Sequence, residues 1–388
     1  METILPQNRK ALIWLNTGHF INDIFTGMLN PIMPFIAAKI GISMAIATIV
    51  LTMSHIFSSL LQPVFGFLAD SIHKRSFIFW GLIMSSCFIP LAGVANHLLP
   101  LMIVIMIGSL GSSFFHPQAL GFTSKFAQEQ NSTKSMAIFL ALGTVGYSCG
   151  PIISAGITQF LGMDKMPFMS IVGVICAISM FKFVPKTSVA NEKLLNFKTA
   201  FKSILSNRKL NILNIIAMLK TMVHSACFIL LPFLWKNTGH KPIYIGLALF
   251  MFIFIGAFGS MLSSSFEKLV GTRNVFYTSM IFTLPLMIIF VLTYQKFPVF
   301  SLFIFVAMGF VTMLATPVTM VMAQNVLPEY KSIISGFING FSWGIVAIIM
   351  SAMGFVAEKL GITNVLIGVS IIPAICSVLV KELFKQQN

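Results

Sequence analysis

The sequence predicts an all-α membrane protein of twelve transmembrane helices, arranged as two pseudo-symmetric halves of six. Three observations carry that reading. Of 388 residues, 57% are hydrophobic and only 9% charged, with a mean hydropathy of +0.92, a composition foreign to soluble domains of this length. Apolar windows of about 20 residues, enough to cross a hydrocarbon core of roughly 30 Å, recur along nearly the whole chain. A displacement of 201 positions lays "HFINDIFTGMLNP" on "KTMVHSACFILLP", so that His19 meets Lys220, Asp23 meets His224 and Pro31 meets Pro232.

Charged or Pro/Gly/Asn-rich breaks give spans at 11–38, 43–69, 76–96, 98–122, 135–160, 166–184, 211–235, 243–265, 275–294, 298–322, 332–356 and 363–382. Arg9 and Lys10 precede the first span as in a signal peptide. That span is too long, holds an acid and two prolines and shows no small-residue cleavage site, so it reads as an uncleaved helix. The fourth and tenth spans repeat the internal offset, with Gly108 on Gly309 and Pro117 one position from Pro317. The domain reading is therefore a half over 1–184, a linker over 185–210 and a half over 211–388. In the linker, Leu194, Phe197, Phe201, Ile204 and Leu205 recur at helical spacing beside Lys193, Lys198 and Lys202. This pattern fits either a short helix on the anionic inner leaflet or a solvated connector.

The net charge of +15 is distributed by side. With both termini inside, Arg9, Lys10, Lys74, Arg75, Lys125, Lys134, the cluster from Lys182 to Lys209, Lys268, Arg273, Lys331, Lys381 and Lys385 fall in cytoplasmic segments. The other side keeps Lys39, Lys165, Lys236, Lys241, Lys296 and Lys359. The positive-inside rule thus accounts for the charge and predicts cytoplasmic termini, with no nucleic-acid partner needed. Cys87, Cys149, Cys176, Cys227 and Cys376 form no CxxC pair and lie in apolar runs, as packing residues do.

Within this apolar frame His19, Asn22 and Asp23 stand out, because ionisable groups inside a bilayer are costly and mark ion or substrate pathways. His19 and Asp23 are one helical turn apart and share a face, as do Lys220 and His224 on the matching helix. All four are expected to face a central cavity; the competing reading is structural polar glue between helices, which is preferred for His55. Asp23 is the only acid at a depth comparable to Lys220, so a neutral pair of the two, ringed by His19, His116 and His224, is one expected resting state. Polar residues at matched depths in two repeats are the plan of a secondary transporter that binds its substrate near the midplane.

"GFLADSIHKR", with Gly66, Asp70, Lys74 and Arg75, resembles the loop between helices two and three in the major facilitator superfamily. There the glycine lets helices pack and the acid pairs with basic groups as a conformational latch; the family's loop glycine is His73 here. "GTVGYSCGPIISAG", with Gly143, Gly146, Gly150 and Pro151, is similar to the glycine-proline motif in the fifth helix of proton antiporters of that superfamily. The same small-residue spacing also serves simple helix packing, and Gly336, Gly340 and Gly344 repeat it. Together, "GHFINDIFTGMLNPIMPFI", "SLLQPVFGFLAD" and "GSLGSSFFHPQALGF" resemble the fosmidomycin-resistance family, well over the first half and mainly in pattern over the second. Its members are inner-membrane exporters of small molecules, named for an anionic phosphonate antibiotic. The resemblance implicates His19, Asn22, Asp23, Gln62, His116 and Pro117. Where the family has an acid after FHP this chain has Gln118, and it has Gly121 near the family's arginine, so the named substrate is not carried over.

No GxxxxGK[ST] loop and no metal-ligand spacing occur, which argues against ATP hydrolysis, an enzyme, a metal centre or a redox cofactor. The expectation is a secondary active exporter in a bacterial inner membrane, functional as a monomer and coupled to protons, taking a small anionic or zwitterionic molecule at His19, Asn22, Asp23, His116, Gln118, Lys220 and His224. A proton-coupled importer of an anionic nutrient is the alternative. A receptor would carry a soluble domain and a channel a continuous polar pore, and neither pattern is present.

Overall fold

The computed structural model describes residues 9–62, 65, 76–127, 132–185, 197–330, 334 and 337–385, and among these all regular structure is helical. Gly66, Asp70, Lys74, Arg75 and Gly336 lie outside the described residues. The first span comprises α1 (Arg9–Gly27) and α2 (Leu29–Ile40); the second contains α3 (Met44–His55) and a π turn, Ile56–Leu60. Then come α4 (Ser76–Phe88), α5 (Leu98–Phe126), α6 (Ser132–Phe160) and α7 (Ser170–Phe183). After α8 (Phe197–Ser206) follow α9 (Arg208–Asn237), α10 (Pro242–Val270), α11 (Thr272–Ile281), α12 (Thr283–Thr293), α13 (Pro298–Leu314), α14 (Thr316–Gln324), α15 (Ser342–Leu360), α16 (Ile362–Cys376) and α17 (Val378–Phe384). Among the described residues, ten helical segments have the length and hydropathy to cross a membrane, and Met44–Leu60 is a shorter apolar one.

Three breaks follow from proline. Proline has no N–H to give to the carbonyl four residues back. For Pro31 that carbonyl is Gly27, where α1 ends; for Pro285 it is Ile281, the end of α11; for Pro317 it is Met313, one residue short of the end of α13. Pro232 and Pro151 sit inside unbroken helices instead, so a proline does not by itself divide a span.

The chain forms two compact units, one comprising Met1–Ser43, Met53–Glu192 and Lys241–Phe250, the other Met44–Thr52, Lys193–His240 and Met251–Asn388. Two short stretches therefore group across the sequence halves. In the second unit the Ala45 N–H, at the start of α3, donates to the Glu358 carboxylate at 2.7 Å, and the Thr52 hydroxyl donates to the Ala347 carbonyl at 2.9 Å. In the first, the Ile243 N–H donates to the Gln159 side chain at 3.1 Å, and Gly246 lies against Ala155 and the Pro151 carbonyl.

Each unit is packed with large apolar side chains. Phe25, Phe115, Phe122 and Phe139 are fully buried in the first, and Trp235, Phe276, Phe290 and Phe305 in the second. Outward faces are apolar as well: Ile171, Ile175 and Ile178 form an exposed stripe along α7, as lipid requires of a spanning helix. In the linker, Asn207 caps α9 by accepting from the Leu210 N–H at 3.1 Å, which separates α8 from it. Ile204 on α8 is buried in the second unit's core with Leu210, Leu213 and Phe276, while Leu205 is exposed. The apolar side of this helix is thus covered by protein at Ile204.

Candidate functional site

In the first unit, α1, α5 and α6 build a buried ionisable cluster. The two-turn face of α1 that carries His19 and Asp23 packs on α6 because α6 presents glycine there. A Cβ at Gly143 would fall on the His19 ring, one at Gly146 on the Phe20 carbonyl, and one at Gly150 on the Ile24 carbonyl. Gly146, Gly150 and Pro151 therefore act as the close-packing surface for α1 and its continuation, with Pro151 also lying against Gly27. His19 stacks on Phe139 of α6 with ring centroids 4.0 Å apart. Its Nδ1 lies 2.8 Å from the Phe139 carbonyl. A carbonyl only accepts, so this nitrogen carries the hydrogen.

His19 Nε2 is then directed to Asp23 Oδ2 at 3.2 Å. From α5, His116 Nε2 approaches the other carboxylate oxygen, Oδ1, at 3.1 Å. Its Nδ1 meets the Ser112 carbonyl at 2.9 Å, with the Ser112 hydroxyl at 3.1 Å. Pro117, the residue after His116, stays within α5. Asn22 completes the set: its amide donates to Asp23 Oδ1 at 3.0 Å and its oxygen accepts from the Ser85 hydroxyl of α4 at 2.7 Å. The His19 side chain is 5% exposed, Asp23 13% and His116 24%, so His116 is the most accessible of the three. The arrangement is a carboxylate clamped between two imidazoles, each oriented by a backbone carbonyl. It is built to hold positive charge against Asp23 in a low-dielectric interior.

Gln118, expected beside these residues, is placed elsewhere. It is buried, and its oxygen accepts from the Ile78 N–H at 3.0 Å in the first turn of α4. That bond ties α5 to α4, which is a positioning role. Gln62 bonds the Ser58 carbonyl through its amide at 2.8 Å. Phe139, Ser112 and Ser85, which orient the cluster, escaped the sequence reading because each is an ordinary span residue; Gly143, inside the glycine-proline motif, was the one available signal.

In the second unit, α9 carries Lys220 and His224, both buried. Lys220 Nζ lies 3.4 Å from the Thr316 hydroxyl at the start of α14. Within this unit, no carboxylate pairs with it among the described residues. One turn on, His224 is surrounded by aromatic rings: Phe252 at 5.0 Å, Trp343 at 5.5 Å and Phe228 at 6.1 Å between centroids. The repeat is therefore chemically asymmetric. The first helix of one sequence half offers a carboxylate held by imidazoles, that of the other a lysine beside an aromatic-lined histidine.

Two units of long apolar helices, with ionisable side chains buried on α1 in one and on α9 in the other, define a secondary membrane transporter rather than an enzyme. The chain belongs to the Major Facilitator Superfamily, which it matches over residues 15–351. It is 23% identical over 360 residues to the fosmidomycin resistance protein of Escherichia coli K12, covering 90% of this chain and 86% of that one. It is 24% identical over 306 residues to the sialic acid transporter NanX of the same organism, covering 74% and 73%. Among solved structures, a bacterial homologue of the human lysosomal transporter Spinster superposes with a TM-score of 0.77 at 12% identity, over 97% of each chain.

Proposed function

We propose that this transporter is a proton-coupled exporter of a small anionic or zwitterionic molecule, working by alternating access in a bacterial inner membrane with both termini cytoplasmic. The observation that carries the substrate class is Lys220, a buried lysine with a 3.4 Å contact to one hydroxyl and, among the described residues, no carboxylate partner in its unit. A charge in that setting calls for a counter-charge, and an anionic solute supplies it. The cation-holding cluster on α1 and α5 supports coupling: a proton at the imidazoles or at Asp23 changes the charge next to the transport pathway. The likeness to a fosmidomycin resistance protein supports export. The likeness to a sialic acid transporter favours the second reading, uptake of an acidic nutrient through the same residues.

Everted membrane vesicles given labelled anions, zwitterions and lipophilic cations, with and without an imposed proton gradient, test the proposal. Gradient-dependent accumulation of an anion or zwitterion is expected. Preferred accumulation of lipophilic cations, or accumulation indifferent to a protonophore, would remove the anion reading or the proton reading respectively.

A further inference from the structure

The tautomers of the two histidines have a consequence beyond proton coupling. Both Nδ1 atoms face backbone carbonyls, Phe139 at 2.8 Å and Ser112 at 2.9 Å, so in the neutral rings both Nε2 atoms carry bare lone pairs. Each Nε2 lies close to one Asp23 oxygen, at 3.2 Å for His19 and 3.1 Å for His116. Three donor atoms that would repel one another converge on one spot, all within 4.8 Å of each other. A positive charge relieves that repulsion, either a proton on an imidazole nitrogen or a metal ion held between the donors.

The geometry points to a divalent transition-metal site formed by His19 Nε2, His116 Nε2 and the Asp23 carboxylate. Zinc bonded to nitrogen at about 2.0–2.1 Å holds tetrahedral donors roughly 3.3 Å apart, close to the two nitrogen–oxygen separations here. Two imidazoles and a carboxylate suit zinc, nickel or cobalt ions rather than magnesium or calcium, which take oxygen ligands. The surroundings match what metal sites require of their supporting groups: each ligating histidine gives its other N–H to a carbonyl, and the carboxylate is held by a further donor. Here those supports are Phe139, Ser112 and the Asn22–Ser85 pair. The 24% exposure of His116 gives an ion access, and with three protein ligands a coordination position remains for water or a solute.

Cobalt(II) titration of the purified full-length protein in detergent, without a histidine tag, tests the site. Saturable binding of one cobalt per chain, with the visible absorption of a tetrahedral ion and displacement by zinc, is expected. His116→Gln and His19→Gln should each weaken binding by about 10- to 100-fold or more. His116→Cys should keep the ion and add a thiolate-to-cobalt charge-transfer band, a gain of signal that a misfolded variant would not give. Removal of other histidines, at His97 and His240, should change nothing. Absence of stoichiometric binding, or binding unaltered in the His19 and His116 variants with no new band in His116→Cys, overturns the proposal. Gradient-driven transport by the same protein reconstituted in proteoliposomes, assayed without metal, is a separate readout, so loss of the metal site leaves the transport reading standing or falling by itself.

Discussion

Asp23 is the residue on which two helices of the first unit converge, with His19 at 3.2 Å and His116 at 3.1 Å, and its charge is what the cluster is organised around. Asp23→Asn keeps the shape and the hydrogen bonding but cannot ionise. It should abolish gradient-driven accumulation while leaving substrate exchange at least partly intact, as measured by counterflow in proteoliposomes; full gradient-driven transport by this variant would take Asp23 out of coupling. Lys220 is the corresponding test for the solute. A charge-assisted hydrogen bond contributes about 1.5–3 kcal/mol, so Lys220→Met should weaken substrate binding by about 10- to 100-fold, and Lys220→Arg should retain part of it. Equilibrium binding of the labelled substrate decides this, and unchanged affinity in Lys220→Met would leave the lysine a structural role beside Thr316.

At the scale of the helix, the glycines of α6 set how near α1 can come. A Cβ at Gly146 would overlap the Phe20 carbonyl, a backbone atom that cannot swing aside as a side chain can. Gly146→Val should therefore cost at least the 1–3 kcal/mol typical of overpacking (about that range in cores generally). Lower thermal stability in detergent and loss of transport together would show it, whereas wild-type stability would mean that α1 and α6 are free to separate. Gly340, the counterpart in the second half, has open space where a Cβ would stand, so Gly340→Ala should be tolerated in the same assay. Asp70, whose loop lies outside the described residues, is proposed as the latch that its motif suggests. Asp70→Asn should shift the conformational equilibrium by about 1–3 kcal/mol, seen as faster cysteine labelling from the cytoplasmic face. Unchanged labelling would leave the loop's charges to topology alone.

For the whole molecule, the uneven placement of lysine and arginine predicts sidedness. In a background lacking the five cysteines, Lys198→Cys should react with an impermeant thiol reagent only in everted vesicles and Lys296→Cys only in intact cells or right-side-out vesicles. The reverse pattern would invert the proposed orientation and the direction assigned to export. The two compact units also qualify the simple halving of the chain: residues 44–52 group with the second unit and 241–250 with the first, through hydrogen bonds such as Ala45 to Glu358 and Ile243 to Gln159.

Periodicity and composition determined what depends on solvent alone. A chain this apolar must satisfy its backbone within helices when surrounded by hydrocarbon, so the all-helical fold, the approximate spans and the two-part plan were legible, as were His19, Asp23, Lys220 and His224 as misfits that need a purpose. The first span, read from the sequence as one helix, is divided before Pro31, whereas Pro151 and Pro232 sit inside unbroken helices. What neighbours those misfits was decided only by tertiary structure. His116 is 93 residues beyond Asp23 in the sequence, and Gln118, two residues further on, turns to accept from the Ile78 N–H of α4 instead, because neighbouring positions on a helix point about 100° apart per residue. The donors of the cluster never appear as a spacing motif, since they come from two helices far apart in sequence, one of which is seated against glycines of a third. The orientation of each imidazole depends on the Phe139 and Ser112 carbonyls, backbone atoms that every residue possesses and that no sequence pattern distinguishes.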